Sequence, residues 1–64
     1  MDANEYFGAR AGSVWLALKG KKPQSITQIK SSTKLRKEQI YGALGWLARE
    51  GKIGVEKNRF ILWE

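Results

Sequence analysis

The stretch from Ser25 to Gly51, SITQIKSSTKLRKEQIYGALGWLAREG, decides the fold of this chain. It opens on Ser25-Ile-Thr-Gln28, the form of a capping box, in which both side chains hydrogen-bond to free amides at the start of a helix. A short helix is therefore predicted over about residues 26–32, and the apolar periodicity beyond it predicts a longer helix over about residues 37–50. A tight turn separates the two.

The longer helix has one clearly apolar face. Its apolar residues recur at spacings of three and four, as on the side that a helix turns toward a core: Ile40, Ala43, Leu44 and Leu47. Gly51 suits the position just after a helix end, and Lys34 and Leu35 form the turn before the helix. A short helix, a turn and a longer helix follow the order of a helix-turn-helix motif.

A third helix is predicted upstream, over about residues 9–20. It has a stripe at spacings of four, three and four: Phe7, Ala11, Val14 and Leu18. Asn4 suits the N-cap of this helix, and Gly20 suits the position just after its end. Gly8 and Gly12 each weaken a helix by about 1 kcal/mol, so we expect the helix to start at about residue 9 rather than next to Asn4.

A β-hairpin is predicted downstream, over residues 52–63. Ile53 and Val55 alternate with polar residues or glycine, and the chain returns through an apolar run after a tight turn at Lys57 and Asn58. Asn58 suits this turn because asparagine tolerates the left-handed conformation. Three helices and a hairpin make one α+β domain over residues 1–64.

The composition excludes most enzyme chemistry. The 64 residues hold 12 Lys and Arg against 6 Asp and Glu, with no His and no Cys, for a formal net charge of +6. The chain therefore has no disulfide framework, no soft metal site and no His or Cys to act as a base or nucleophile, and its six carboxylates show no paired spacing. We expect a non-enzymatic protein without metal, cofactor or small-molecule substrate. With no apolar stretch of membrane-spanning length and no signal-peptide layout, we also expect a cytoplasmic protein that makes no membrane contact.

Two runs carry a resemblance to a known family. Ala11–Trp15, AGSVW, and Tyr41–Ile53, YGALGWLAREGKI, are similar to short bacterial and archaeal winged-helix domains of uncharacterised function. The resemblance covers about residues 9–64 and implies a winged helix-turn-helix fold, with the hairpin as the wing, and a nucleic-acid role without catalytic residues. The family pattern has glycine at Lys34 and a small polar N-cap at Arg36. Each departure costs about 1 kcal/mol and adds a positive charge at the turn.

The basic residues favour the same function. Between Tyr6 and Val55, ten Lys and Arg stand against two acids. In a winged helix the third helix enters the major groove and reads bases, while cations at the turn and wing contact phosphates. The predicted nucleic-acid-binding residues are Lys30, Lys34, Arg36, Lys37, Gln39, Tyr41, Lys57, Asn58 and Arg59. The alternative for the basic cluster is a merely solvated face.

Some residues on the third helix have two interpretations. Gly42 and Gly45 allow either close packing of a neighbouring element or the approach of a phosphate backbone. Tyr41 and Trp46 either stack on bases or belong to the core or an interface. The sequence favours the structural alternative for all four without excluding the other.

Several residues predict contact with a second chain. Large apolar side chains and a glycine outside the core stripes indicate another chain packing there: Gly12, Trp15, Leu16, Trp46 and Trp63. Because so short a chain has little core, we predict a homodimer, which also suits two DNA half-sites. The alternative is that the chain's own hairpin covers Trp15. The rival function is a protein-interaction or dimerisation module that binds no nucleic acid.

Overall fold

The computed structural model describes residues 1–63. They form three helices and a two-stranded antiparallel sheet, α1, α2, α3, β1 and β2, at Ala3–Leu18, Ile26–Thr33, Lys37–Arg49, Ile53–Glu56 and Arg59–Leu62. The most extensive packing is between α1 and α3. The predicted α+β class, with three helices before a hairpin, is confirmed.

The first helix does not start where the sequence predicts, at about residue 9, nor does it extend to residue 20. Its N-cap is Asp2, and the suggestion of Asn4 is wrong. Asp2 Oδ1 accepts the Glu5 N–H at 2.9 Å, and Glu5 Oε1 accepts the Asp2 N–H at 3.4 Å. This capping box satisfies first-turn amides and so starts the helix upstream of its glycines. Gly20 has a φ of 67° and lies beyond the helix end.

One hydrophobic core joins the helices and the sheet. Its largest fully buried side chains come from all three helices: Val14, Leu18, Ile29 and Ile40. The predicted apolar face of α3 is confirmed, because all four of its members are buried. Ile53 and Leu62 complete the core from the two strands.

The second helix has a defined start and end. The predicted capping box is present: Ser25 Oγ accepts the Gln28 N–H at 3.2 Å, and Gln28 Oε1 accepts the Ser25 N–H at 2.9 Å. At the other end, the Ser32 and Thr33 hydroxyls each donate to the carbonyl four residues earlier, at 2.9 and 2.8 Å. Thr33 Oγ1 also accepts the Leu35 N–H at 3.2 Å, which leads the chain out of the helix.

The hairpin turn has two residues. Glu56 pairs with Arg59, so Lys57 and Asn58 alone connect the strands. Their φ values are 51° and 63°, and positive φ at both positions is what a type I′ turn requires. The predicted turn is therefore confirmed. We call β1, β2 and this turn the wing.

A long-range backbone pairing joins the wing to the segment that precedes α2. The Gln24 N–H donates to the Phe60 carbonyl at 2.9 Å, and the Phe60 N–H donates to the Gln24 carbonyl at 2.7 Å. Gln24 is buried, and its Nε2 donates to the Ala17 carbonyl at 3.0 Å. Gln24, in the segment before α2, therefore contacts both the end of α1 and the second wing strand and holds them together.

Candidate nucleic-acid interface

The turn between α2 and α3 holds a lysine in the left-handed conformation. Lys34 has φ 62° and ψ 17°, and its N–H donates to the Lys30 carbonyl at 2.9 Å. A residue with a Cβ is less stable than glycine in this conformation by about 1 kcal/mol. The positive φ expected at this position is confirmed, and a cation occupies it.

The third helix starts from an arginine with no capping ability. The Arg36 side chain has only donors and cannot accept a hydrogen bond from the first-turn amides. The other half of a capping box is present, because Gln39 Oε1 accepts the Arg36 N–H at 2.9 Å. The missing half costs about 1 kcal/mol relative to a Ser or Asp cap. A second cation thus occupies a position where another residue type would make the fold more stable.

Four exposed cations surround this turn, and we call them the turn cations: Lys30, Lys34, Arg36 and Lys37. Within residues 1–63 the one ion pair joins Lys52 Nζ to Glu50 Oε1 at 3.7 Å. The turn cations therefore have no acidic partner in that part of the chain. Like charges four residues apart, as in Lys30 and Lys34, repel by a few tenths of a kcal/mol. An anion at the turn would relieve this repulsion.

Gln39, predicted to read a base, has internal partners instead. Its Oε1 accepts the Arg36 N–H, and its Nε2 donates to the Tyr6 hydroxyl at 3.2 Å. Arg10 holds Tyr6 in turn, with its guanidinium 3.8 Å from the ring centroid and its Nη1 donating to the Tyr6 carbonyl at 3.0 Å. Gln39 therefore docks the first turn of α3 onto α1. The spacing Arg36-x-x-Gln39 was the sequence signal for this role.

The two glycines of α3 have different surroundings. A Cβ at Gly42 would lie 2.7 Å from Cδ1 of Phe7, so close packing against α1 explains this glycine. A Cβ at Gly45 would meet no other described atom within 4 Å. Tyr41 is 51% exposed beside them, whereas Trp46 packs partly against the core.

The wing brings further cations to the surface. Lys57, Asn58 and Arg59 are all exposed at its turn. Arg59 Nη1 donates to Gln28 Oε1 at 3.2 Å, the same oxygen that caps α2. The structure therefore joins the wing to α2 through a basic side chain.

The predicted partner residues are spread over more than one surface. Trp15 and Trp46 are half-buried against the core, and with Gly12 they line a groove between α1 and α3 that includes Lys52. Leu16 is 66% exposed but lines a different groove, between α1 and α2. The structure thus groups three of the five residues and places Leu16 elsewhere.

Trp63 is not among the residues that line either of these grooves. Its N–H donates to the Lys52 carbonyl at 2.7 Å, and its side chain is 58% exposed. A Cβ at Gly54 would lie 2.8 Å from Cε2 of this indole. Glycine at that position therefore leaves room for the Trp63 ring against the sheet.

Metal-binding clusters and membrane-spanning helices are both absent from residues 1–63. Residues 1–63 contain no group of three or more His, Cys, Asp or Glu side chains placed to hold a metal ion. In that range no helix is both long enough and apolar enough to cross a membrane.

Two helices joined by a short turn, with a third helix before them and a hairpin after them, define a winged helix-turn-helix protein. The chain belongs to the family described as Winged helix-turn-helix domain (DUF2582), whose model matches residues 1–61. This match confirms the resemblance to a short winged-helix family of uncharacterised function. No curated protein matches the chain significantly.

Proposed function

We propose that this protein binds double-stranded DNA, in a transcription-related role, and has no catalytic activity. The observation that carries the proposal is the pair Lys34 and Arg36. Each places an exposed cation where glycine or a polar cap would stabilise the fold by about 1 kcal/mol. Exposed side chains gain nothing from packing, so a polyanionic partner is the simplest reason for both cations.

The geometry suits a recognition helix. With its side chains α3 is about 10–12 Å across, and the major groove of B-DNA is about 12 Å wide. Helix-turn-helix proteins contact bases with the first turns of this helix, which here expose Arg36, Lys37 and Tyr41. We leave Gln39 out of the base contacts because both ends of its amide are engaged inside the protein.

Phosphate contacts would come from the flanks of α3. Lys30 and Lys34 lie on one side, and Lys57, Asn58 and Arg59 lie at the wing turn. Each cation that neutralises a phosphate adds affinity that is independent of base sequence and falls with salt. The proposed binding is therefore strongly dependent on ionic strength.

A titration of the ¹⁵N-labelled chain with a short DNA duplex tests the proposal. At low salt, the largest amide shift changes are expected over residues 34–41 and 57–59, and added salt should reverse them. Absence of shift changes at these residues, at low salt and millimolar duplex, would reject DNA binding.

Replacement of the strained lysine gives a sharper test. We expect Lys34→Gly to raise the free energy of unfolding by about 1 kcal/mol, because glycine accepts the left-handed conformation. The same variant should bind DNA more weakly, and the slope of log binding constant against log salt concentration should become shallower by about one unit. Lys21→Gln, which removes an exposed cation from the α1–α2 connection, is the control. It should change the free energy of unfolding and the DNA affinity less than Lys34→Gly does. Unchanged DNA affinity in Lys34→Gly would contradict the proposed interface.

A second proposal, self-association as a homodimer, is favoured by Trp63. Trp63 is 58% exposed, and Trp15 and Trp46, which line a groove between α1 and α3, are only half-buried. Sedimentation velocity over a concentration series should show a dimer, and Trp63→Ser should shift it toward monomer. A wild-type chain that stays monomeric at the highest concentration would reject the dimer and leave DNA binding untouched.

A further inference from the structure

We infer that the outer face of α2 carries a binding site for one phosphate group, separate from the base-contacting surface of α3. A shallow, open concavity on this face is lined by Thr27, Lys30, Ser31, Lys34 and Leu35. The site is argued from these residues alone. Only the identification of its phosphate with a DNA backbone rests on the proposed function.

The spacing of the lining residues brings their functional groups together. Thr27, Lys30 and Ser31 follow the helical repeat of three and four, so they share one side of α2, and Lys34 follows as the C-cap of the helix. Two lysines and two hydroxyl-bearing residues therefore line the same concavity. Their ammonium and hydroxyl groups are donors that match the oxygens of a phosphate, and hydrogen bonds to such a charged acceptor are about twice as strong as neutral ones.

The hydroxyl groups of α2 fall into two kinds. Ser32 and Thr33 both donate to carbonyls of their own helix. Thr27 and Ser31, the two that line the concavity, make no hydrogen bond to any other side chain or backbone group of residues 1–63. The two hydroxyls without an internal partner therefore lie beside the cations, whereas the two that donate to carbonyls do not line the concavity.

The charges of the concavity lack an internal partner. Lys30 and Lys34 repel each other, and no acid in residues 1–63 pairs with them. Lys34 also has a φ of 62°, a conformation that is unfavourable for a residue with a Cβ. A bound phosphate would offset the repulsion and engage the free hydroxyls at once, which a chloride or a diffuse counterion would not do.

Inorganic phosphate is the first probe, added to the full-length ¹⁵N-labelled chain at constant ionic strength against sodium chloride. Saturable shift changes are expected at residues 27–34. Ser31→Ala should weaken phosphate binding roughly tenfold, the effect of losing one charge-assisted hydrogen bond. Ser32→Ala is the matched control, since its hydroxyl lies one position along and donates to the Gln28 carbonyl, and it should bind phosphate like the wild type. Both residues are exposed, and a thermal melt checks that both variants fold.

A DNA duplex is the second probe, and it identifies the source of the phosphate. If Ser31→Ala also weakens DNA binding and phosphate competes with DNA, the site holds a backbone phosphate. If DNA affinity is unchanged while phosphate affinity falls, the ligand is a free phosphorylated molecule. Phosphate binding that depends on Ser31 in a chain that binds no DNA would keep the site and reject the proposed function.

The inference is overturned if phosphate shifts are spread over all exposed cations, or if Ser31→Ala and Ser32→Ala bind phosphate equally well. Either result would mean general attraction to positive charge rather than a site. DNA binding to the wild-type chain would survive both results, so the two proposals can fail separately.

Discussion

At the scale of single residues, α3 shows two uses of the same amino acid. Gly42 leaves room for the Phe7 ring of α1, whereas Gly45 faces space free of other described atoms. The sequence left packing and ligand approach open for both, because helical spacing does not show which face a neighbouring helix will cover. Only the docking of α1 separates them.

Alanine at each glycine separates these roles. Gly42→Ala should lower the free energy of unfolding by about 1–3 kcal/mol, since its methyl group would overlap the Phe7 ring. Gly45→Ala should raise it by up to about 1 kcal/mol, because alanine favours the helix and meets no neighbour. Urea denaturation of the pair measures both. Equal changes of the same sign would contradict the described packing of α1 on α3.

Lys34 and Asn58 show what residue-level reasoning can predict. Both were expected at turns, and both have positive φ. Gln39 shows the limit, because its residue type is equally suited to adenine and to a helix cap. Its partner Tyr6 lies on another helix, so nothing local to Gln39 indicates the hydrogen bond between them.

At the scale of elements, the sequence predicted each helix and strand but not every boundary. The face of α3 and the hairpin could be predicted because their apolar periodicity and turn residues are local. The start of α1 was predicted too late because the two glycines favour a later start, whereas the Asp2-x-x-Glu5 pattern forms two hydrogen bonds that stabilise the first turn. The pairing of Gln24 with Phe60 has no local signal, since its two members lie more than half the chain apart.

The start of α3 gives a prediction at this scale. Arg36→Ser would complete a capping box with Gln39, and we expect it to raise the free energy of unfolding by about 1 kcal/mol. For a domain of this size that corresponds to a melting temperature higher by about 4–8 °C. DNA affinity should fall at the same time, because a turn cation is lost.

Arg36→Lys serves as the control for Arg36→Ser. It keeps the charge and adds no cap. It should therefore keep most of the DNA affinity and should not be more stable than the wild type. A serine variant that is more stable and binds DNA equally well would show that Arg36 makes no phosphate or base contact.

At the scale of the whole molecule, the distribution of charge matters more than the total. The net charge of +6 combines a strongly basic middle of the chain with acids placed toward its ends. The fold gathers the turn cations around one turn and places further cations at the wing. The composition predicted an anionic partner and the family pattern predicted a cost at Lys34 and Arg36, and the fold shows a left-handed backbone at the first and an uncapped helix start at the second.

The absence of histidine from the sequence gives a prediction for the whole protein. The sequence has no histidine, the residue whose charge ordinarily changes near neutral pH, so DNA affinity at fixed ionic strength should be constant from about pH 5.5 to 7. Fluorescence anisotropy with a labelled duplex measures this. A change of tenfold or more across that range would contradict this prediction.

The pairing of Gln24 with Phe60 has a consequence for the order of folding. A two-residue hairpin forms in about 1–10 μs from local contacts, whereas joining segments so distant in the chain carries a larger loop-closure entropy. The wing strands should therefore meet each other early and join the helices late. An ester in place of the Gln24 backbone amide removes the N–H that donates to the Phe60 carbonyl and keeps the side chain. In stopped-flow kinetics this change should speed unfolding and leave the folding rate almost unchanged, the behaviour of a contact that is absent from the transition state.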